Sequence, residues 1–276
     1  MTGPDATRYL HLANGVKVSR PFCWRWLLPS LLGTGQRAWW WCWAVSWAVA
    51  ASGGLWFMAN VTDGWQRMVA GTIMLLALPG ILGPTEVIPV GVDLPATALG
   101  LLGAAMFTGG HPEWVVGGIV LCLLAGTIKE TTPVFVALWA WTPWALIGLA
   151  APAARWLWVR LRDLEGPDPL GGVFQDILQH PIRSALHAHR HLWRNAWVMV
   201  APWGLTLAAL YTVSWQVVVV LAVAHLQLLV ATDTVRLVHH AAGPVMAAVA
   251  VANIPTQWLA LAVVAHTCWW FQVERV

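Results

Sequence analysis

The sequence predicts an all-α, polytopic transmembrane helical bundle with about 8–9 membrane segments, and three observations lead there. Of its 276 residues, 59% are hydrophobic and 10% charged, where a soluble domain carries about 25% charged residues. Mean hydropathy is +0.66, which is more apolar surface than a soluble fold of this length buries. The apolar residues also fall in long continuous runs. A membrane barrel needs short segments of alternating polarity instead, and in hydrocarbon only helices and closed barrels satisfy their own backbone groups.

A crossing needs roughly 20 apolar residues. The runs at 38–58, 67–83, 94–109, 113–128, 132–152, 197–212, 214–231, 238–252 and 255–273 supply the candidates, and several are short enough to predict tilt or re-entrance. Ahead of them, residues 1–37 read as an outer interfacial loop with an amphipathic helix. There Tyr9, Leu10, Leu12 and Ala13 recur at helical spacing until Gly15 breaks the pattern. Trp24, Trp26, Trp39, Trp40, Trp41, Trp43 and Trp47 gather where the first span begins, at the headgroup level that indoles favour. Asp5, Arg8, Lys17 and Arg20 occupy the start of the chain with no apolar core before them, so the expectation is insertion by internal helices without a signal peptide.

A first bundle of about five helices is expected over 38–152, a basic loop over 153–196, and a second bundle of three or four helices over 197–276. The loop holds Arg155, Arg160, Arg162, Arg183, Arg190 and Arg194 with His180, His187, His189 and His191, which predicts a cytoplasmic position. About five crossings then place the lead segment outside, although Arg8, Lys17, Arg20, Arg25 and Arg37 make it basic as well.

Cys23, Cys42, Cys122 and Cys268 fall singly, so neither a disulfide framework nor a zinc site is expected, and they read as small apolar fillers. A net charge of only +3 gives no footprint for nucleic acid.

Ionisable residues near membrane depth cost about 2.5–3.5 kcal/mol each on insertion, so their positions carry information. Asp5, Arg8 and Tyr9, followed by Arg20 and Arg25, form either a solvated interfacial helix or part of a site. Asp93 in Gly91-Val92-Asp93-Leu94-Pro95 reads as a helix N-cap or as a site carboxylate. Lys129-Glu130, ahead of Pro133, is either a self-neutralising pair or a cation placed for a lipid phosphate. Asp233 and Arg236 share a helix face, while His239 and His240 read as an interfacial polar patch lacking the third ligand that a metal needs.

The stretch Gly3-Pro4-Asp5-Ala6-Thr7-Arg8-Tyr9-Leu10-His11-Leu12-Ala13-Asn14-Gly15, then Arg20-Pro21-Phe22 and Arg25-Trp26-Leu27-Leu28-Pro29, resembles the first outer loop of the GT-C class of polytopic membrane glycosyltransferases. Val92-Asp93-Leu94-Pro95-Ala96, Lys129-Glu130-Thr131-Thr132-Pro133 and Asp233-Thr234-Val235-Arg236 with Pro244 look like later signatures of its bacterial members, in the same order. The resemblance implies a hexosyltransferase that moves a sugar from a polyprenyl-phosphate carrier to an acceptor at the outer membrane face. Asp5 would be its general base. Arg8, Tyr9, Arg20, Arg25, Asp93, Lys129, Glu130 and Arg236 would surround the substrate and the lipid phosphate. No metal or other cofactor is required, and the carrier-linked sugar is the donor. The family has a transmembrane helix before this loop and none stands before it here; loss in evolution, a longer chain and a partner protein that supplies the helix all stay open. The implied location is a bacterial or phage-encoded inner membrane. Two other classes stay open. One is a catalytically silent or truncated relative acting as a membrane structural or assembly protein. The other is a transporter subunit, which no pair of interrupted helices in corresponding halves favours.

Overall fold

The structure, a computed structural model, describes residues 4–19, 22–82, 91–167, 182–183, 200–212, 214–227 and 234–273. For helical residues 4, 5, 82, 234–237 and 269–273 it describes the backbone alone. All regular structure among the described residues is helical, apart from an isolated parallel bridge between Val18 and Glu165.

The first apolar run becomes α3, Gln36–Val61, a continuous 26-residue helix about 39 Å long at 1.5 Å per residue. Among the described residues it is the one helix long and apolar enough to cross a membrane. Proline and glycine cut most other runs short of the roughly 30 Å that hydrocarbon demands. The run at 67–83 splits into α4, Trp65–Leu76, and α5, Pro79–Leu82. The next two form α6, Asp93–Thr108, and α7, Pro112–Ile128. The run at 132–152 divides into α8, Thr132–Trp139, a 3-10 helix over Pro143–Leu149 and α9, Ala150–Leu161. Later come a 3-10 segment over Ala201–Leu210 broken by Gly204 at φ 50°, and α10, Trp215–Leu226. The last described helices are α11, Thr234–Asn253, and α12, Leu259–Val273. Val238–Asn253 and Thr256–Cys268 meet at 114° across Pro255. Length and composition therefore support one crossing, or two if that bent pair is one broken span.

The lead segment is α1, Pro4–Ala13, which Gly15 ends at φ 75°, followed by a 3-10 turn over Phe22–Trp24 and α2, Leu27–Leu32. One face of α1 is buried, Ala6 and Tyr9 being 1% exposed, and its other described side chains are partly exposed. Ala6 and Tyr9 pack with Val18, Phe22, Cys23, Trp39, Val92, Ile128 and Val159. The tryptophans divide by register: Trp39 is buried and donates Nε1–H to the Gly33 carbonyl at 2.9 Å, while Trp41 is 72% exposed.

The chain forms two compact units, residues 1–53 with 84–174 and residues 54–83 with 175–276. In the first, α6 and α7 make an antiparallel hairpin, with Gly110 at φ 76° in its turn and Gly103 facing Gly118. The 3-10 helix lies so close to α7 that a Cβ on Gly148 would sit 2.7 Å from the Cys122 carbonyl oxygen. In the second unit α11 is central. Its buried Val238, Ala241, Ala242, Val245, Met246 and Val251 face α4, α5, α10 and the 201–210 segment.

Gly148→Val should destabilise the first unit by about 1–3 kcal/mol, the usual range for overpacking. Gly91→Ala, where a Cβ meets nothing within 4 Å, should not. Thermal unfolding of both variants in lipid nanodiscs checks this; equal stability would show that the close approach does not hold the fold.

Candidate functional site

Pro133 builds the site. It has no N–H to donate and its ring would clash with the carbonyl four residues earlier, so the helix cannot run through from Lys129. α7 accordingly stops, and Lys129 takes extended backbone at φ −145° and ψ 115° while its own N–H still reaches the Ala125 carbonyl at 2.7 Å. The break turns Lys129 and Glu130 to different neighbours. Glu130 accepts from Arg25 through both carboxylate oxygens, Nε at 2.8 Å and Nη2 at 2.6 Å, in the fork-to-fork geometry that makes such pairs strong. Lys129 donates to Asp93 Oδ1. Arg25 also donates to the Tyr9 hydroxyl at 3.2 Å.

Phe22 supports this group from the side. Its ring lies edge-on to Tyr9 at 5.4 Å, with the guanidinium of Arg8 at 4.7 Å and that of Arg25 at 5.7 Å from its centroid. The cluster is largely buried, the side chains of Arg25 and Glu130 being 14% and 21% exposed and those of Lys129 and Asp93 4% and 18%. Burial by itself disfavours both charges of the Arg25–Glu130 pair. Their mutual attraction and hydrogen bonds outweigh it, holding the Glu130 carboxyl below its ordinary range and the Arg25 guanidinium well above its own.

The residues singled out in the sequence thus meet at one place. Arg8, Tyr9, Arg25, Asp93, Lys129 and Glu130 come from three separate stretches and share one unit. Asp5 lies in α1, three and four residues before Arg8 and Tyr9, but its side chain lies outside the described residues, as do Arg20 and Asp233. Arg236 is on α11, in the other unit, and its side chain too is outside them.

Four expectations are corrected. Lys129 and Glu130 are not paired with each other alone: each reaches a separate partner, while the Lys129 charge also helps to hold the Glu130 carboxyl down. Asp93 is not an N-cap: Val92 holds that position and Asp93 opens α6, where a carboxylate also suits the positive end of the helix dipole. His239 and His240 are not interfacial, being 1% and 2% exposed in the second unit. Finally, the lead segment and the start of the basic stretch do not face opposite sides. Val18 bridges Glu165, Gly166 donates N–H to the Val18 carbonyl at 3.2 Å, Lys17 reaches Asp163 and Arg155 donates to the Cys23 carbonyl at 3.3 Å. Any crossings between them must be even in number. No local pattern in the sequence announces this, since the partners stand more than 130 residues apart.

Sequence reasoning also passed over His266, which accepts Leu205 N–H at Nδ1, 3.2 Å, and donates from Nε2 to the Met74 carbonyl, 3.0 Å. Those roles require the neutral Nε2–H tautomer. Among the described residues, no three His, Cys, Asp or Glu side chains converge as metal ligands.

No protein-family model, curated protein or solved structure matches the chain.

Arg25→Ala should destabilise the first unit by about 3–5 kcal/mol by stranding the Glu130 carboxylate, and Arg25→Met with Glu130→Met should recover most of that loss. Because the Glu130 carboxyl is depressed in the folded protein, its contribution is fully present above the ordinary value of 4.5 and disappears as pH falls through the lower folded value. Urea unfolding of wild type and the double variant between pH 3 and 7 checks this; parallel acid profiles would remove Glu130 as the titrating group.

Proposed function

We propose that this chain is a multi-pass inner-membrane protein of the GT-C kind that transfers a sugar from a polyprenyl-phosphate carrier to an acceptor at the outer face. One observation carries the reading: Tyr9, Arg25, Asp93, Lys129 and Glu130 converge in a single buried charge cluster. A buried cluster of two cations and two carboxylates is neutral when empty, which makes it tolerable at low dielectric. An arriving phosphate competes with Glu130 and Asp93 for the two cations and keeps them as it becomes a leaving group. In the transfer, the acceptor oxygen bonds to the anomeric carbon as the bond from that carbon to the phosphate oxygen breaks. The hydroxyl proton passes to a carboxylate, Asp5 in this reading, and the electron pair departs with the polyprenyl phosphate.

A second reading has its own support: both cations of the cluster already hold carboxylates. In that case the cluster is a fastening, and the protein is a silent relative that serves membrane assembly.

Membranes containing the chain, given radiolabelled polyprenyl-phosphate sugars, separate the two. Wild type should transfer label and Asp5→Asn should lose transfer by about 100-fold or more, the lower range for a general base, with folding intact. Lys129→Ala should weaken carrier binding in a lipid pull-down. Absence of transfer from any donor by folded protein favours the assembly reading, and full activity in Asp5→Asn removes the base assignment.

A further inference from the structure

A cavity of about 380 Å³ lies in the first unit, lined by Trp24, Trp156, Val159, Arg160, Asp163 and Glu165. Its size falls at the low end of small-molecule sites, roughly 300–1,000 Å³. One lining residue, Trp24, directly precedes Arg25 of the charge cluster in the chain. We propose that this cavity binds a neutral saccharide, and that on the transferase reading above it is the acceptor subsite.

The lining matches that chemistry. Two indoles offer apolar faces for the C–H surface of a pyranose while each keeps one polar handle. Carboxylates and a guanidinium supply acceptors and donors for ring hydroxyls. The Arg160 guanidinium lies 5.6 Å from the Trp156 ring centroid, which steadies that indole. The indole N–H of Trp24 is buried without a hydrogen-bond partner, so it is the apolar face of that ring that the cavity can use.

The backbone points the same way. α9 ends in a Schellman cap, with Leu164 N–H reaching back to the Val159 carbonyl at 3.0 Å, and its left-handed residue is Asp163 at φ 48°. Glycine is the usual occupant of that position, because a side chain there is strained. Aspartate tolerates that conformation better than most side chains, and the Asp163 carboxylate at the rim is 96% exposed and lies 3.6 Å from Lys17 Nζ.

The full chain in lipid nanodiscs, titrated with the methyl glycosides of glucose, galactose, mannose and N-acetylglucosamine, tests this by saturation-transfer NMR. Ring C–H protons of at least one glycoside should receive saturation. The signal should fall at least fivefold in Trp156→Ala, persist in Trp156→Phe, and be unchanged in Trp65→Ala, a 69%-exposed tryptophan of the other unit. Trp156 is 41% exposed, so its truncation does not empty the core. No saturation of any glycoside, equal signals in Trp156→Ala and Trp65→Ala, or saturation of choline methyl groups in place of glycosides would each overturn the proposal. Glycoside saturation without sugar transfer removes only the transferase reading, and transfer without glycoside saturation removes only the subsite.

Discussion

The two-pronged contact between Arg25 and Glu130 is the constraint on which the first unit's arrangement rests. The lead segment is fixed by Tyr9 and Phe22 in the core and by the Arg25 guanidinium, which cannot shed its charge. Taking that charge out of water is tolerable only where a carboxylate meets both prongs, and Glu130 is presented there because Pro133 ends α7 one turn early. A helix breaker in one place thus helps to decide where α1 and the turn over Phe22–Trp24 sit. The second pair, Lys129 with Asp93, then ties the same break to the start of α6.

A second regularity runs through both units. Proline and glycine interrupt the apolar runs, and every interruption leaves backbone donors or acceptors that an apolar interior cannot satisfy. Many of the scarce polar side chains go to those groups. In the second unit His239 accepts the Gly80 N–H at the start of α5, and His266 takes the Met74 carbonyl at the end of α4. Asn253 donates to the Ala208 carbonyl at 2.9 Å and Arg67 to the Val251 carbonyl at 3.0 Å, again at helix ends. In the first unit Trp39 does the same for Gly33. A polar residue in this chain is therefore more informative about where a helix stops than about where water is.

The pairing of residues 17–18 with 163–166 changes how charge reads out topology. Lys17 there meets Asp163, and Val18 bridges Glu165, so an acidic turn in the basic stretch answers a cation of the lead segment, whereas a count of Lys and Arg along the chain sets the two apart. Asp163 and Glu165 of this contact also line the cavity with Trp24 and Trp156.

What the sequence determined by itself was the helical class, the position of nearly every helix, and the identity of the charged residues that matter. Apolar runs and their Pro and Gly boundaries are local properties, so α3, α6 and α7 begin and end within three residues of the runs that foretold them. Lys129, Glu130, Asp93 and Arg25 were legible because charge is rare in so apolar a chain. Tertiary structure alone decided the partners. Whether Glu130 meets Lys129 beside it or Arg25, 105 residues away, depends on the direction the chain takes after the break, where α8 packs against α6 and α7. The same holds for His266, whose two backbone partners stand 61 and 192 residues distant and leave no trace in local spacing. Local pattern fixes where hydrogen bonding along the chain must fail; only the packed structure supplies what replaces it.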